Sequence, residues 1–199
     1  MPQPSLQFWF EFASTYSYLS VCRIEQVAAE AGIDVEWKPF LLGPLIKEFG
    51  WDDSPFNIYP VKGRYMWRDL ERLCQQYDLT FKKPGQFPKN GLYAARIATI
   101  AASEGWCPAF AKAVFHANFA EDQDIAAPEV LTGILESIGQ NAPSVFERAQ
   151  TQQNKDHLRQ QTEKAASLGI FGAPSFIANG ELFWGNDRLE QALEWLKRV

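Results

Sequence analysis

No Cys-x-x-Cys occurs anywhere in these 199 residues, and cysteine stands only at positions 22, 74 and 107. So odd and widely spaced a set builds no disulfide framework. Cys22, Cys74 and Cys107 read instead as free, small buried hydrophobes in a reducing compartment. Histidine is scarce too: His116 and His157 stand 41 positions apart with no cysteine pair to join them, so no metal site is expected. Basic residues are the minority, 19 Lys and Arg against 24 Asp and Glu, for a net charge of −5. That balance leaves no basic stripe to displace counterions from phosphates, which excludes nucleic acid as a partner. No run of five like charges exists, so charged tails are absent as well. No Lys or Arg precedes Arg23, and the first apolar stretch is short and broken by Glu11. A signal peptide is therefore not expected, and the protein is expected to be cytoplasmic.

What is present fits an ordinary globular chain. It is 46% apolar and 22% charged, which argues against both disorder and a membrane span. Its length allows one domain, or one domain carrying an insertion. Seven Trp and fifteen Phe favour a large apolar interior or pocket.

Residues 5–12 alternate and are aromatic-rich, as a strand requires. A helix is predicted over 15–31, with Val21, Ile24, Ala28 and Ala31 on one face and Gly32 placed to stop it in the left-handed conformation. Residues 34–40 alternate again, giving a βαβ unit whose two strands must run parallel. The stretch 43–60, with three Pro and two Gly, reads as loop with at most a short helix. Helical patterns follow over 63–77, 90–104, 107–119, 128–138 and 143–168. After Gly169 two short strands, 174–179 and 181–184, meet at Asn179-Gly180, a strong hairpin signal. A last helix is expected from about Asp187, with Glu190 as capping-box partner, burying Leu189, Ala192, Leu193 and Leu196. The expected class is α/β: a thioredoxin-like domain of residues 1–42 plus 169–199, interrupted by an all-helical insertion over 43–168.

In that scaffold the strand–turn–helix junction ordinarily carries Cys-x-x-Cys. Here Ser14 and Ser17 fill the two slots, so a foreign thiol is the natural replacement, and glutathione fits that description. Ser14 lies just before a helix N-terminus, where unpaired N–H groups and the dipole favour an anion and lower a thiol's pKa. Its hydroxyl can donate to a thiolate. The plainer reading of Ser14 is a helix N-cap. Serine without a paired base is a poor nucleophile, and both histidines fall in distant helical patterns. Ser17 reads as structural. Arg64, Arg68, Asp69, Glu71 and Arg72 read as a charged helix face.

The segments Phe10-Glu-Phe-Ala-Ser-Thr-Tyr-Ser-Tyr-Leu, Pro60-Val-Lys-Gly-Arg-Tyr-Met-Trp-Arg-Asp-Leu-Glu-Arg, Gly169-Ile-Phe-Gly-Ala-Pro-Ser-Phe and Leu182-Phe-Trp-Gly-Asn-Asp-Arg-Leu carry a resemblance over essentially the whole chain. It resembles the 2-hydroxychromene-2-carboxylate isomerases and kappa-class glutathione transferases, which are relatives of the disulfide oxidoreductase DsbA. One departure is visible: Thr15 stands where many relatives have proline. The resemblance implies a cis Pro174, with Ala173 pairing to the cysteinyl part of glutathione as a short added strand. It assigns Trp184, Gly185, Asn186 and Asp187 to the cofactor, with Asp187 on the γ-glutamyl ammonium. Lys47, Asn57 and Lys62 are assigned to an acidic substrate, although their plain reading is that of solvated loop residues. Phe12, Tyr16 and Trp67 are expected to line an apolar pocket. The implied activity is glutathione-dependent isomerisation of 2-hydroxychromene-2-carboxylate, or a similar aromatic hydroxy acid, to trans-o-hydroxybenzylidenepyruvate. The implied chemistry is thiolate addition, rotation about the resulting single bond, and elimination that restores the double bond as trans. Alternatives are a kappa-like transferase that conjugates electrophiles, and a DsbA-like peptide-binding protein without dithiol redox activity. A homodimer is implied by the same resemblance.

Overall fold

Alternation in the aromatic N-terminal segment sets the architecture. In the computed structural model, which describes residues 4–198, β1 (Ser5–Phe10) runs parallel to β2 (Asp34–Pro39) with Ser5 opposite Asp34 and Phe10 opposite Pro39. Between them, α1 spans Thr15–Ala31 and ends at Gly32, whose φ of 69° is the left-handed conformation expected of that glycine. β3 (Ser175–Ala178) lies antiparallel to β1 on its other side, and β4 (Glu181–Trp184) completes a sheet of order β2-β1-β3-β4. Asn179 and Gly180 join β3 to β4 with φ of 51° and 81°, as a two-residue hairpin turn demands.

Because side chains alternate across a strand, β1 serves two cores. Leu6, Phe8 and Phe10 are fully buried on one face, where Phe8 stacks on Phe10 and on Phe176 at 5.2 and 5.5 Å. Trp9 turns the other way and packs with Phe40, Leu45, Ala165, Ile170 and Ile177. Helices therefore cover both faces.

The insertion contributes α2 (Leu42–Glu48), α3 (Pro55–Ile58), α4 (Pro60–Gln76), α5 (Leu92–Glu104), α6 (Cys107–Phe119), α7 (Pro128–Ser137), α8 (Ala142–Gln150) and α9 (Gln152–Ser167). Phe12 joins it to the sheet, meeting Phe10, Phe115 and Phe110 at centroid distances of 5.4, 5.1 and 6.1 Å. Sheet and insertion thus share one continuous core.

Local expectation fails at several places. The stretch 43–60 holds two short helices instead of a loop with one at most: Leu42, Leu45 and Ile46 keep helical spacing, and the Ser54 hydroxyl accepts from the Phe56 N–H to start α3. The single helix expected over 143–168 is broken at Thr151. That residue takes an extended conformation (φ −61°, ψ 149°), and its hydroxyl accepts from the Asn154 N–H, starting α9. β1 ends at Phe10, two residues early, because the Glu11 carboxylate turns back to the Ala13 N–H. Finally, no capping box forms at Asp187. The chain makes a 3-10 turn over Asn186–Arg188, and α10 (Leu189–Leu196) starts without a side-chain cap, while Glu190 pairs with Arg23 of α1. A charged partner across space outcompetes the local N–H. The four apolar residues of α10 are buried as expected.

Candidate functional site

The turn that ends β1 fixes Ser14. Its N–H donates to Glu11 O at 3.0 Å, the Glu11 carboxylate accepts from the Ala13 N–H at 3.0 Å, and Asn118 of α6 donates to Phe12 O at 2.9 Å. Ser14 then caps α1, its Oγ accepting from the Ser17 N–H at 3.2 Å. The same hydroxyl donates to Ala173 O at 2.8 Å, spanning 159 positions of sequence. The N-cap role and a place beside the Ala173-Pro174 loop therefore coexist. The Ala173-Pro174 peptide is cis.

β4 and the turn after it close on that loop. Gly185 N–H donates to Pro174 O at 3.0 Å, and Ser175 Oγ to Gly172 O at 2.8 Å. The Trp184 indole lies so close to Gly172 that a Cβ there would collide with it. Trp184 and Phe171, 53% and 46% exposed, form a tilted aromatic pair at 4.8 Å. Asn186 points inward: it is buried, and its Oδ1 accepts from Ser20 Oγ at 3.0 Å and Arg23 Nη1 at 3.3 Å. Asp187 is exposed, and its charge reaches the Tyr16 phenol.

Tyr16 donates from its hydroxyl to Asp69 Oδ2 at 3.0 Å. Burial first, then that bond and the surrounding negative charge, hold its phenol well above the usual value, so it stays protonated. Burial also pushes the Cys22 thiol up to about 11 and Cys74 to about 12, and raises Cys107 further. None of these sulfurs is a nucleophile at neutral pH. Burial pushes the Glu11 carboxyl up to about 7, against the lowering effect of the Ala13 N–H.

A family model described as a DSBA-like thioredoxin domain matches residues 5–197. The chain belongs to the DSBA-like thioredoxin domain family. Within it, the chain is 28% identical to a 2-hydroxychromene-2-carboxylate isomerase of Sphingobium xenophagum, over 94% of each chain. It is 25% identical to glutathione S-transferase kappa 1 of Homo sapiens, covering 94% of this chain and 88% of that one. Among solved structures, a 2-hydroxychromene-2-carboxylate isomerase superposes with a TM-score of 0.88 at 23% identity, over 98% of this chain and 95% of the other. The expected thioredoxin-like fold and the resemblance to this group are borne out, and the chain is related to enzymes of both kinds.

In this DSBA-like chain the helical insertion reaches the start of α1 through α3 and α4. Phe56 meets the Tyr16 ring at 6.5 Å, and Thr15 Oγ1 donates to Met66 Sδ at 3.3 Å. Gly63 permits this crossing, since a Cβ there would collide with Phe56 O. Asn57 of α3 is exposed and spends its amide on both Asp53 oxygens, at 3.2 and 3.0 Å, and on Phe87 O at 3.2 Å. Lys62 is exposed, with its ammonium 4.8 Å from the Tyr59 ring centre. Lys47 is exposed on α2.

The expectation that Phe12 lines a pocket is overturned. Phe12 is 1% exposed and belongs to the core, because the chain leaves the sheet at Glu11 and drives that ring between α6 side chains. Trp67 is half-buried against Phe87 at 4.9 Å. Cavities of about 800 and 340 Å³ lie elsewhere, one between α1, β2 and α5, the other between α2, α5 and α9. Neither is lined by Ser14. Sequence reasoning overlooked Phe171, the Tyr16–Asp69 bond and Glu11. Only Glu11 left a local trace, a lone acid inside an otherwise aromatic strand.

Proposed function

We propose that this chain is a glutathione-dependent isomerase converting 2-hydroxychromene-2-carboxylate, or a similar aromatic hydroxy acid, to trans-o-hydroxybenzylidenepyruvate. The observation that supports this most is the 2.8 Å bond from Ser14 Oγ to Ala173 O, which joins a hydroxyl, a helix N-terminus and the backbone beside cis-Pro174.

The residues suit glutathione. Cys74 and Cys107 are buried and Cys22 is half-buried, and burial holds all three thiols protonated, so a sulfur brought from outside suits the site better than the chain's own. The Ser14 hydroxyl can turn from Ala173 O to a thiolate, exchanging a neutral bond for a charge-assisted one. That turn frees the Ala173 carbonyl for an extended peptide, the usual chemistry of an added strand. Pro174, Trp184 and Gly185 flank that edge. Asp187, exposed, attracts the γ-glutamyl ammonium, and Asn186 anchors the turn that presents it. When bound, glutathione supplies a thiolate able to make a conjugated double bond rotatable. Lys47 and Lys62 attract the substrate carboxylate, and Asn57 joins them by giving up its bond to Phe87 O.

The test is product analysis with purified protein, glutathione and the chromene acid. Isomerised acid with an undiminished glutathione pool is expected. Full-speed turnover after the tripeptide is dialysed away refutes the reading. The kappa-class relative favours a second reading, conjugation of an electrophile at the same site, and a stoichiometric glutathione adduct would select it.

A further inference from the structure

The outer edge of the sheet at β2 is closed at one end and open at the other. Asp34 N–H donates to Pro4 O at 3.2 Å and Phe40 N–H to Phe10 O at 3.1 Å, so the even-numbered residues of β2 bond to β1. The N–H and C=O groups of Val35 and Trp37 therefore point away from the sheet. Pro39 does the same, and its carbonyl accepts from the Gln161 amide of α9. Beyond it, Leu41 N–H donates to Thr162 Oγ1 at 3.2 Å, so α9 closes the C-terminal end of this edge. Among the described residues, nothing pairs with the outward backbone groups of Val35 and Trp37.

Both residues line the cavity of about 800 Å³ between α1, β2 and α5. Its walls are small side chains, Ala28 and Ala29 on α1 and Ala102 and Ser103 on α5, so another backbone can come close. Trp37 is only 8% exposed, with its ring edge-on to Phe8 at 5.2 Å. The open edge is thus recessed. Two copies of it cannot reach each other, whereas a single extended segment can enter. Charge selects the segment. Three carboxylates, Glu25, Asp34 and Glu36, line the cavity against one ammonium, Lys38. Glu25 pairs with Lys112 and Lys38 with Glu36 at 3.0 Å, while Asp34 is exposed and has no side-chain partner among the described residues. The carboxyl end of α1 adds its negative pole.

We propose that this recess is a strand-addition site for an extended peptide segment that alternates apolar and basic side chains. The N–H and C=O of Val35 and Trp37 pair with its main chain. Alternation places its basic side chains on the face of Asp34 and Glu36, and its apolar ones on the face of Val35 and Trp37. The recess lies about 20 Å along α1 from Ser14, at the opposite end of that helix, so the site stands apart from the glutathione reading.

The test is amide hydrogen exchange of the whole chain, with an acetylated, amidated pentapeptide of alternating lysine and valine as probe. In the free protein the Val35 and Trp37 amides are expected to exchange about 100-fold faster than those of Glu36 and Lys38. The peptide is expected to slow the first pair about tenfold or more and to leave the second unchanged. A glutamate–valine peptide is expected to change neither. Val35→Pro removes only an outward N–H, which an edge strand tolerates, and is expected to weaken the lysine peptide about tenfold. Should that variant fail to fold, Asp34→Asn replaces it, with weaker binding that depends less on salt. Val35 and Trp37 amides already protected in the free protein, or indifferent to the lysine peptide, overturn the proposal. So do equal effects of the two peptides, wild-type affinity in the folded variant, or displacement of the peptide by glutathione, which would put it at Ala173 instead.

Discussion

Replacing Ser14 by alanine removes two hydrogen bonds at once, the cap to the Ser17 N–H and the long-range bond to Ala173 O. Loss of a serine N-cap costs about 1 kcal/mol, and loss of a half-buried bond to a carbonyl costs about another 1 kcal/mol. Ser14→Ala should therefore lower unfolding stability by about 2 kcal/mol, through the coupling of α1 to the Ala173-Pro174 loop. Ser17, the other residue of the Ser-x-x-Ser pair, is its internal control. It is fully buried, and its Oγ has no hydrogen-bond partner. An unpaired buried hydroxyl is a cost of about 1 kcal/mol or more, so Ser17→Ala should be neutral or stabilising. Urea titrations of both variants, with equal slopes to exclude a change in the unfolded state, give the comparison. Turnover then separates the roles: Ser14→Ala should lose about 100-fold or more at a temperature where it is fully folded, and Ser17→Ala little. Equal destabilisation by the two variants, or wild-type rates in Ser14→Ala, would refute the reasoning.

Other outcomes follow from particular contacts. The rise of the Glu11 carboxyl from 4.5 to about 7 is a penalty on its charged form. Stability from its neutral form is whole below pH 4.5 and is lost progressively up to pH 7, by about 3 kcal/mol at 1.36 kcal/mol per unit. Glu11→Gln should thus match wild type near pH 4 and exceed it by about 3 kcal/mol at pH 7.5, and a difference that does not vary with pH contradicts this. Gly63→Ala forces a methyl group against Phe56 O, a backbone atom no rotamer change can move, and should cost about 2 kcal/mol with weakened substrate binding. An unchanged urea midpoint would count against the α3–α4 crossing. With Cys22 raised to about 11 and Cys74 to about 12, a disulfide reagent at pH 8 should label the native protein slowly and the denatured protein at once. Fast native labelling would show an accessible thiolate and remove the need for a borrowed sulfur.

The amino-acid order by itself determined what neighbouring residues decide. α1 begins at Thr15 and ends at Gly32, and the β3–β4 hairpin turns at Asn179-Gly180, because helical spacing, strand alternation and positive φ are local properties. The place of Ser14 was equally legible, since it stands at a strand-to-helix junction. Partners far apart in the chain were not. Asn186 accepts from Ser20 and Arg23, Glu190 went from an expected cap to Arg23, and Tyr16 to Asp69, each across more than fifty positions. Phe12 went to the core for the same reason, since α6 supplies its neighbours. Two serines three positions apart look interchangeable on paper. Only the folded chain gives one of them a carbonyl 159 residues away and leaves the other buried without a partner, because hydrogen-bond satisfaction depends on which atoms converge in space.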